Sequence, residues 1–297
     1  MASIARLFCM KTTKSPNTPW PASLHKQIEA CSQQWHLTDL QPARNLLCNY
    51  VMFGRRTTDQ VPIVLKLMHN LDALIREQRA LEAYNGHGCV QLLAVDHTNN
   101  ALLLERLIPG TSLQALFPHD EEHGIEHAIG VMNKLHTTYV PDATLFPSIA
   151  DWLATLNRNY ADHINTHYVQ TARTLAHTLL ATQTAPVLLH GDLHHDNILN
   201  HHTEWRAIDP KGVLGEPAYE VGAFIRNPLQ QLLEHRDARS IIATRIAQFA
   251  TRMDIDRQRI KEWSYVQAVL AAYWCVQDGL SPAGWLRIAD ILESIEG

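Results

Sequence analysis

The 297-residue chain is long enough to bury a large core in two lobes, and its 46% hydrophobic content is typical of a globular protein. A net charge of −5, without any cluster of lysine or arginine, argues against nucleic-acid binding. Five cysteines without paired spacing argue against disulfides, and no stretch reaches the ~20 apolar residues that a membrane span needs. We therefore expect a cytoplasmic protein whose partner is a small neutral or cationic molecule.

Apolar periodicity predicts one helix and then several strands in the first hundred residues. Leu24, Ile28 and Cys31 share one face of a helix over 23–35, and the residues before it carry no period. Short apolar runs bounded by turn residues predict the strands, which lie over 49–53, 61–68, 89–95 and 101–104.

Lys66 lies within the apolar run 61–68, where a lysine without a partner would be costly. It therefore needs an anion. The helix that follows, capped near Asn70, carries Glu77 and Glu82 on the flanks of its apolar face, so helical period does not choose between them. The alternative is an edge lysine whose stem covers apolar surface.

Residues 105–110, Glu-Arg-Leu-Ile-Pro-Gly, read as an extended linker that ends at a helix cap formed by Thr111 or Ser112. We place the lobe boundary there, with an N-terminal lobe over 1–104 and a helical lobe over 111–297. The alternative is a plain turn between domains. Helices of the second lobe are predicted over 123–138, 148–159, 161–183, 222–236, 238–253, 256–278 and 282–294.

Three polar side chains that suit a metal ion lie at the ends of short strands. The apolar run 187–189 reads as a short buried strand, which Gly191 breaks just before Asp192. The next two strands, 198–200 and 205–208, read as an antiparallel hairpin, which would place Asn197 and Asp209 side by side at its open end. Oxygen ligands of this kind suit magnesium rather than zinc.

The segment His-Gly-Asp-Leu-His-His-Asp-Asn over 190–197, followed by Ile-Asp-Pro over 208–210, resembles the aminoglycoside phosphotransferase family. That family has His-Gly-Asp where protein kinases have His-Arg-Asp, and Ile-Asp where they have Asp-Phe-Gly. The continuation over 215–228, from Gly-Glu-Pro-Ala-Tyr-Glu to Arg-Asn-Pro, is similar to the branch of aminoglycoside and hydroxyurea resistance kinases, which includes streptomycin phosphotransferases. The resemblance covers about residues 35–290. It implies an α+β, two-lobed protein-kinase-like fold, with a small antiparallel-sheet N-lobe and a mainly helical C-lobe.

The resemblance also implies a reaction, the transfer of the γ-phosphate of ATP to an alcohol group with the help of Mg²⁺. Asp192 would orient the acceptor hydroxyl and accept its proton. Asn197 and Asp209 would hold the magnesium ion.

The nucleotide would be held mainly by the N-terminal lobe and the linker. Lys66 would contact the α- and β-phosphates, and the family pattern Glu-Ala-x-x-Leu selects Glu77 as its partner. Backbone groups of Glu105 and Leu107 would hydrogen-bond adenine. The turn over 41–46, which should cover the phosphates, contains no glycine, so we assign no phosphate contact there.

Glu216, Glu220 and Asp278 are the predicted acceptor-binding residues, because carboxylates pair with the guanidino groups of a cationic sugar such as streptomycin. Tyr273 and Trp274, close to Asp278 in the sequence, would offer flat faces to the same ligand. Each acid could equally be a surface residue.

Three other functions remain open at this point. The first is a metabolic kinase for another small alcohol or amine. The second is a phosphohydrolase whose zinc ion is bound by His190, His194, His195 and Asp196. The third is a catalytically silent nucleotide-binding module, which the glycine-free turn permits.

Overall fold

The computed structural model describes residues 23–43, 49–139, 142–158 and 162–296. Within these ranges an antiparallel sheet with two helices is followed by a mainly helical part. The residues before Ser23 and positions 44–46 of the predicted phosphate-covering turn lie outside the described residues. No helix of the described part is long and apolar enough to cross a membrane.

The helices and strands follow the chain in a simple order. The helices are α1 (Ser23–Trp35), α2 (Leu71–Tyr84), α3 (Glu121–His136), α4 (Ile149–Leu153), α5 (Thr166–Ala181), α6 (Pro217–Ile225), α7 (Leu229–Glu234), α8 (Ala238–Met253), α9 (Arg257–Gln277) and α10 (Ala283–Glu293). The strands are β1 (Leu37–Pro42), β2 (Tyr50–Arg56), β3 (Pro62–Leu67), β4 (Leu92–Asp96), β5 (Ala101–Glu105), β6 (Pro109–Ser112), β7 (Val187–Leu189), β8 (Ile198–His201), β9 (Glu204–Ala207) and β10 (Val213–Gly215). Short 3-10 helices, such as His195–Asn197, connect some of them.

The N-terminal sheet is antiparallel, with the strand order β1-β2-β3-β5-β4, and it is covered on both faces. Because side chains alternate along a strand, Ile63, Leu65 and Leu67 pack with α1 on one face. Lys66 is therefore turned to the opposite face, where α2 packs. Full burial of each large apolar side chain contributes about 1.5–3 kcal/mol to stability.

Helix α9 is the centre of the C-terminal part. All residues from 263 to 275 are buried, and the helix packs against α5, α6, α8 and α10. A helix that is apolar on every side needs such an enclosure. Tyr273 and Trp274 are buried in it, so the prediction that their rings face a ligand is wrong.

The sheet followed by helices confirms the predicted fold class, but several element boundaries differ from the prediction. The helix predicted over 222–236 is two helices, α6 and α7, separated at Asn227-Pro228. Proline removes a backbone donor and disfavours helical geometry in the residue before it, and Pro217 is well suited to the first turn of α6. The linker also leads into strand β6, which pairs with β8. Ser112, one of the two predicted caps, is the N-cap residue of the short 3-10 helix Leu113–Leu116, although its side chain makes no capping hydrogen bond.

Candidate active site

A glycine turns the chain at the end of β7 and presents Asp192. Gly191 has a φ of +85°, in the left-handed region. A Cβ atom here would lie 2.6 Å from Cη2 of Trp152 and 3.0 Å from Cγ1 of Val213. Both the backbone angle and the lack of space therefore require glycine, which is why the strand is interrupted just before the aspartate.

The buried carboxylate of Glu220 holds this turn. It accepts hydrogen bonds from the backbone N–H groups of His190 (2.6 Å) and Gly191 (3.0 Å). The His190 ring donates through Nε2 to the Ile208 carbonyl (2.8 Å) and accepts through Nδ1 from the Asp192 N–H (3.2 Å). Burial lowers the pKa of His190, which keeps the ring in the neutral form that this pair of bonds requires.

The predicted hairpin is formed by β8 and β9, and the loop that carries Asp192 lies at the open end of this hairpin. Strand β8 pairs with β9 in the register Ile198↔Ala207, and the Ile208 N–H donates to the Asn197 carbonyl (2.9 Å). The side-chain amide of Asn197 donates to the carbonyl of Asp192 (2.9 Å). The loop and the hairpin are thus joined by a hydrogen bond between two of the predicted site residues.

Lys66 connects the N-terminal sheet to this hairpin. Its Nζ lies 2.6 and 2.7 Å from the carboxylate oxygens of Glu77 and 2.7 Å from Oδ1 of Asp209. The lysine is only 2% exposed. These two carboxylates are the anions that a buried lysine was predicted to need. Glu82 is exposed and accepts instead from Gln78, so the structure selects Glu77 as the partner.

The charges of this cluster stabilise one another. Burial would lower the pKa of Lys66, but Asp209 and Glu77 raise it. Partial burial also opposes ionisation of Asp209, yet the attraction of Lys66 and Lys211 lowers its pKa to about 2. Lys66 is therefore cationic and Asp209 anionic at neutral pH.

Asn197 and Asp209 suit a magnesium ion. The Nδ2 of Asn197 is used by the Asp192 carbonyl, which leaves Oδ1 as the atom available to a cation. The Asp209 side chain is 37% exposed, although Lys66 contacts one of its oxygens. Two oxygen donors beside open space match the partial protein coordination that magnesium accepts.

Two nitrogen-bearing side chains flank the Asp192 carboxylate. Nη2 of Arg226 lies 3.8 Å from Oδ1, and Nε2 of His194 lies 3.8 Å from Oδ2. The Nδ1 of His194 accepts from the Asp196 N–H (3.2 Å), so the neutral ring carries its proton on Nε2, toward Asp192. Burial lowers the pKa of His194 and favours that neutral form.

The three histidines of the loop do not converge on one point. His195 stacks on Phe224, with ring centroids 3.9 Å apart, and receives a contact from Arg245 at 3.3 Å, whereas His190 and His194 bind separate loop groups. Within the described ranges no three histidine, cysteine or acidic side chains form a metal-binding group. The zinc phosphohydrolase alternative thus has no geometric support in this part of the chain.

The linker after β5 directs the backbone N–H groups of Arg106 and Ile108 to one side. Arg106 N–H donates to the Pro62 carbonyl (3.3 Å), and Ile108 N–H donates to Nδ1 of His201 (3.0 Å). Successive N–H groups of an extended segment point to opposite sides. The Leu107 N–H therefore faces away from both of these partners.

The side chain of Glu105 has a structural function in the linker. It accepts from the Gln91 N–H (2.7 Å) and from Nη1 of Arg206 (2.8 Å). Only its backbone is left for the predicted contact with adenine.

Comparison with known proteins identifies the family. A family model described as aminoglycoside/hydroxyurea antibiotic resistance kinase matches residues 34–279. The chain belongs to this family. The streptomycin 6-kinase of Streptomyces griseus is 24% identical to this kinase over 276 residues, or 91% of this chain and 89% of that enzyme. The hydroxyurea phosphotransferase of Kitasatospora aureofaciens is 28% identical over 267 residues, or 88% of this chain and 76% of that protein.

Solved structures agree with this kinase in fold. An aminoglycoside phosphotransferase crystallised with ADP and hygromycin B has a TM-score of 0.68 at 13% identity, over 91% of this chain and 98% of that one. A choline kinase from Streptococcus pneumoniae has a TM-score of 0.63 at 13% identity, over 92% of this chain and all of that one (100%). The predicted kinase family, fold class and phosphotransferase reaction are thereby confirmed.

Two acids that were predicted to bind the acceptor of this kinase are interior residues. Glu216 is 1% exposed and is bound by Arg259 Nε (2.8 Å) and by the indole N–H of Trp263. Glu220, also 1% exposed, is used by the loop before Asp192. Neither carboxylate is accessible to an acceptor, so these two assignments do not fit the structure.

Asp278 is the predicted acceptor residue that remains at the surface. It is the exposed C-cap residue of α9. Burial, together with the charge of Asp278, raises the pKa of the Cys275 thiol to about 11, against the lowering effects of a hydrogen bond with Trp285 and of the Arg226 charge.

Sequence reasoning missed two cations of this kinase. Lys211 follows Asp209 by two residues, and its charge helps to lower the pKa of that aspartate. Arg226 follows α6 and approaches Asp192. Arg226 lies within the segment 215–228 that carries the family resemblance, and Lys211 directly follows the segment 208–210, but no spacing rule links either of them to the catalytic loop.

Proposed function

We propose that this kinase transfers the γ-phosphate of ATP to a hydroxyl group of an aminocyclitol antibiotic of the streptomycin type. The observation that carries the proposal is the meeting of Lys66, Asp209, Asn197 and Asp192 at one edge of the hairpin. It brings a phosphate-binding cation, two oxygen ligands and a candidate base together, as phosphoryl transfer requires.

On the nucleotide side, Lys66 would contact the α- and β-phosphates while Glu77 holds its ammonium group in place. The cation is already ionised and ordered, so its positive charge costs little reorganisation when the phosphates arrive. Adenine would be recognised by the Glu105 carbonyl, which would accept a hydrogen bond, and by the Leu107 N–H, which would donate one. The two residues lie two positions apart in the extended linker.

Asn197 Oδ1 and Asp209 would hold Mg²⁺, which when bound neutralises the charge that develops on the β- and γ-phosphates. The hydrogen bond from Asn197 Nδ2 to the Asp192 carbonyl fixes the amide in the orientation that makes Oδ1 available. Asp209 must also share its carboxylate with Lys66, and its second oxygen is the one left for an ion.

Asp192 would accept the proton of the acceptor hydroxyl and orient its oxygen toward the γ-phosphorus atom. The new oxygen–phosphorus bond forms as the bond to the leaving ADP breaks, so positioning matters more than covalent chemistry by the protein. The loop is well suited to this function, because His190 and Asn197 bind the Asp192 peptide on both sides.

The acceptor side favours a ligand with cationic groups at some distance from its reacting hydroxyl. Asp278 supplies an exposed carboxylate for such a group. The streptomycin 6-kinases among the relatives match almost the whole chain, which supports an aminocyclitol. Hydroxyurea, the compound in the name of another relative, is the second candidate acceptor.

The experiment is a phosphorylation assay with a panel of acceptors. Purified kinase is incubated with ATP, Mg²⁺ and one acceptor at a time: streptomycin, hydroxyurea, hygromycin B, choline or ethanolamine. The products are identified by mass spectrometry. We expect phosphorylated streptomycin, with turnover about 10²- to 10⁴-fold lower in Asp192→Asn, the usual contribution of a general base. Phosphorylation of choline or ethanolamine alone would replace the antibiotic by a metabolic acceptor, and near-normal turnover by the variant would remove Asp192 from its proposed function.

A further inference from the structure

Arg226 occupies an unusual position at the end of α6. It is 3% exposed, and its guanidinium lies 3.8 Å from Oδ1 of Asp192 and 5.0 Å above the ring centre of Trp285. Among the described residues, no group accepts a hydrogen bond from its Nε. A buried cation thus stands beside the candidate base without a hydrogen bond to it.

This arrangement is expensive for the folded protein. Burial opposes the charged form and lowers the pKa of Arg226, although Asp192 acts in the opposite direction. A buried ion pair rarely repays the desolvation of its charges, and this one lacks the short contact that would help. Stability alone therefore does not explain why an arginine lies here.

Helix α6 connects Arg226 to the loop that carries the base. Glu220, in the first half of the helix, binds the backbone before Asp192, and Arg226 approaches the side chain of Asp192 from the end of the same helix. The helix is packed tightly on α9, since a Cβ on Gly222 would lie 2.6 Å from the Gln267 amide nitrogen. One rigid element therefore contacts both the backbone and the carboxylate of the base.

We propose that Arg226 is a positioning residue for Asp192, which holds Oδ1 of the carboxylate and leaves Oδ2, beside His194, to receive the acceptor hydroxyl. This inference rests on the proposed function of Asp192 in phosphoryl transfer. Arg226 acts through the aspartate and does not itself take the proton. Its charge also disfavours acceptors that carry a cation directly beside the reacting hydroxyl.

The test compares Arg226→Met, Arg226→Lys and a control, Arg173→Met, with the wild-type kinase. The control removes a guanidinium in the same lobe that binds the Leu156 carbonyl, away from Asp192. For the acceptor that the wild type phosphorylates, we expect kcat of Arg226→Met to fall about 10- to 100-fold while KM for ATP stays within about twofold, the pattern of a lost transition-state contribution. Arg226→Lys should recover part of kcat, and Arg173→Met should leave it unchanged.

A crystal structure of Arg226→Met gives a second readout that does not depend on any acceptor. We expect the Asp192 carboxylate to leave its wild-type rotamer while the backbone bonds of the loop to Glu220 persist. An unmoved carboxylate with unchanged kcat would overturn the proposal, and so would a loss of kcat that matches a loss of folded protein and of ATP binding. If the wild type phosphorylates nothing in the panel, the proposed function fails, and the rotamer of Asp192 still decides the function of Arg226.

Discussion

The nucleotide side and the acceptor side of the catalytic centre hold their charges in different ways. On the nucleotide side, Lys66 lies within 2.7 Å of both Glu77 and Asp209. On the acceptor side, the nearest cation to Asp192 in the described chain is Arg226, at 3.8 Å. The nucleotide side is thus held by short ion pairs, whereas the contacts of the base are longer. Phosphate binding needs a fixed charge, but the base must adjust to an acceptor.

The largest effect should follow from removing the carboxylate that supports the base. Glu220→Leu leaves the buried N–H groups of His190 and Gly191 without acceptors, at about 1–3 kcal/mol each. We expect a lower free energy of unfolding in urea and almost no turnover. Glu220→Gln, which keeps one acceptor oxygen, should lose less stability. Equal stability of both variants and the wild type would mean that the loop is held by something else.

Removing the nucleotide-side cation should have the next largest effect. Lys66→Met leaves Glu77 and Asp209 without their shared partner, so we expect ATP affinity to fall and kcat/KM for ATP to decrease by about 10²-fold. Steady-state kinetics at fixed acceptor measures this change. Glu82→Gln is the matched control on the same helix, because Glu82 contacts Gln78 and not the lysine. If kcat/KM for ATP falls as much in Glu82→Gln as in Lys66→Met, the nucleotide side is not held by the Lys66 ion pairs.

The loop over 190–197, which contains the buried His195, should make the stability of the protein depend on pH. Burial lowers the pKa of His195 well below 6.5, so the unfolded chain takes up its proton first as the pH falls. The stabilising contribution is complete above the unfolded pKa and is lost toward acid, at up to about 1.4 kcal/mol per pH unit for one histidine. Urea unfolding between pH 7.5 and 5.5 should show the decline. His195→Phe, which keeps a ring against Phe224, should make the free energy of unfolding decline less steeply as the pH falls. An unchanged slope would contradict the attribution of this pH dependence to His195.

The smallest effect is expected at the surface of the acceptor side. Asp278→Ala removes an exposed carboxylate, and solvent reduces the value of such a charge to about 1 kcal/mol or less. We expect KM for streptomycin to rise severalfold while KM for ATP stays constant, and KM for neutral hydroxyurea should not change. A uniform loss for all three ligands would indicate damage to the fold rather than a lost contact.

The same contrast explains what could be predicted from the sequence. Lys66 was predictable because a strand alternates and a lysine in an apolar run needs an anion, and the hairpin placed Asn197 beside Asp209 by register alone. The choice of Glu77 over Glu82 needed the family resemblance. These features depend on local geometry, which spacing in the sequence reports directly.

The acceptor side depends on contacts between distant elements, which spacing does not report. Glu216 looked like a free acid because its partners, Arg259 and Trp263, lie more than 40 residues later on α9. Arg226 was missed for the same reason. The break between α6 and α7, in contrast, could have been predicted instead of one helix over 222–236, since Asn227-Pro228 is a local helix terminator.

The proposed kinase needs a metal-dependent centre formed by Asn197 and Asp209 rather than by the histidines of the loop. Binding of Mn²⁺, a spectroscopic substitute for Mg²⁺, can be measured by electron paramagnetic resonance with a non-hydrolysable ATP analogue present. We predict a nucleotide-dependent site in the wild type that is weakened about tenfold or more in Asp209→Asn and is unchanged in His194→Ala. Unaltered binding in Asp209→Asn, or a stoichiometric zinc ion that is lost in His194→Ala, would contradict it.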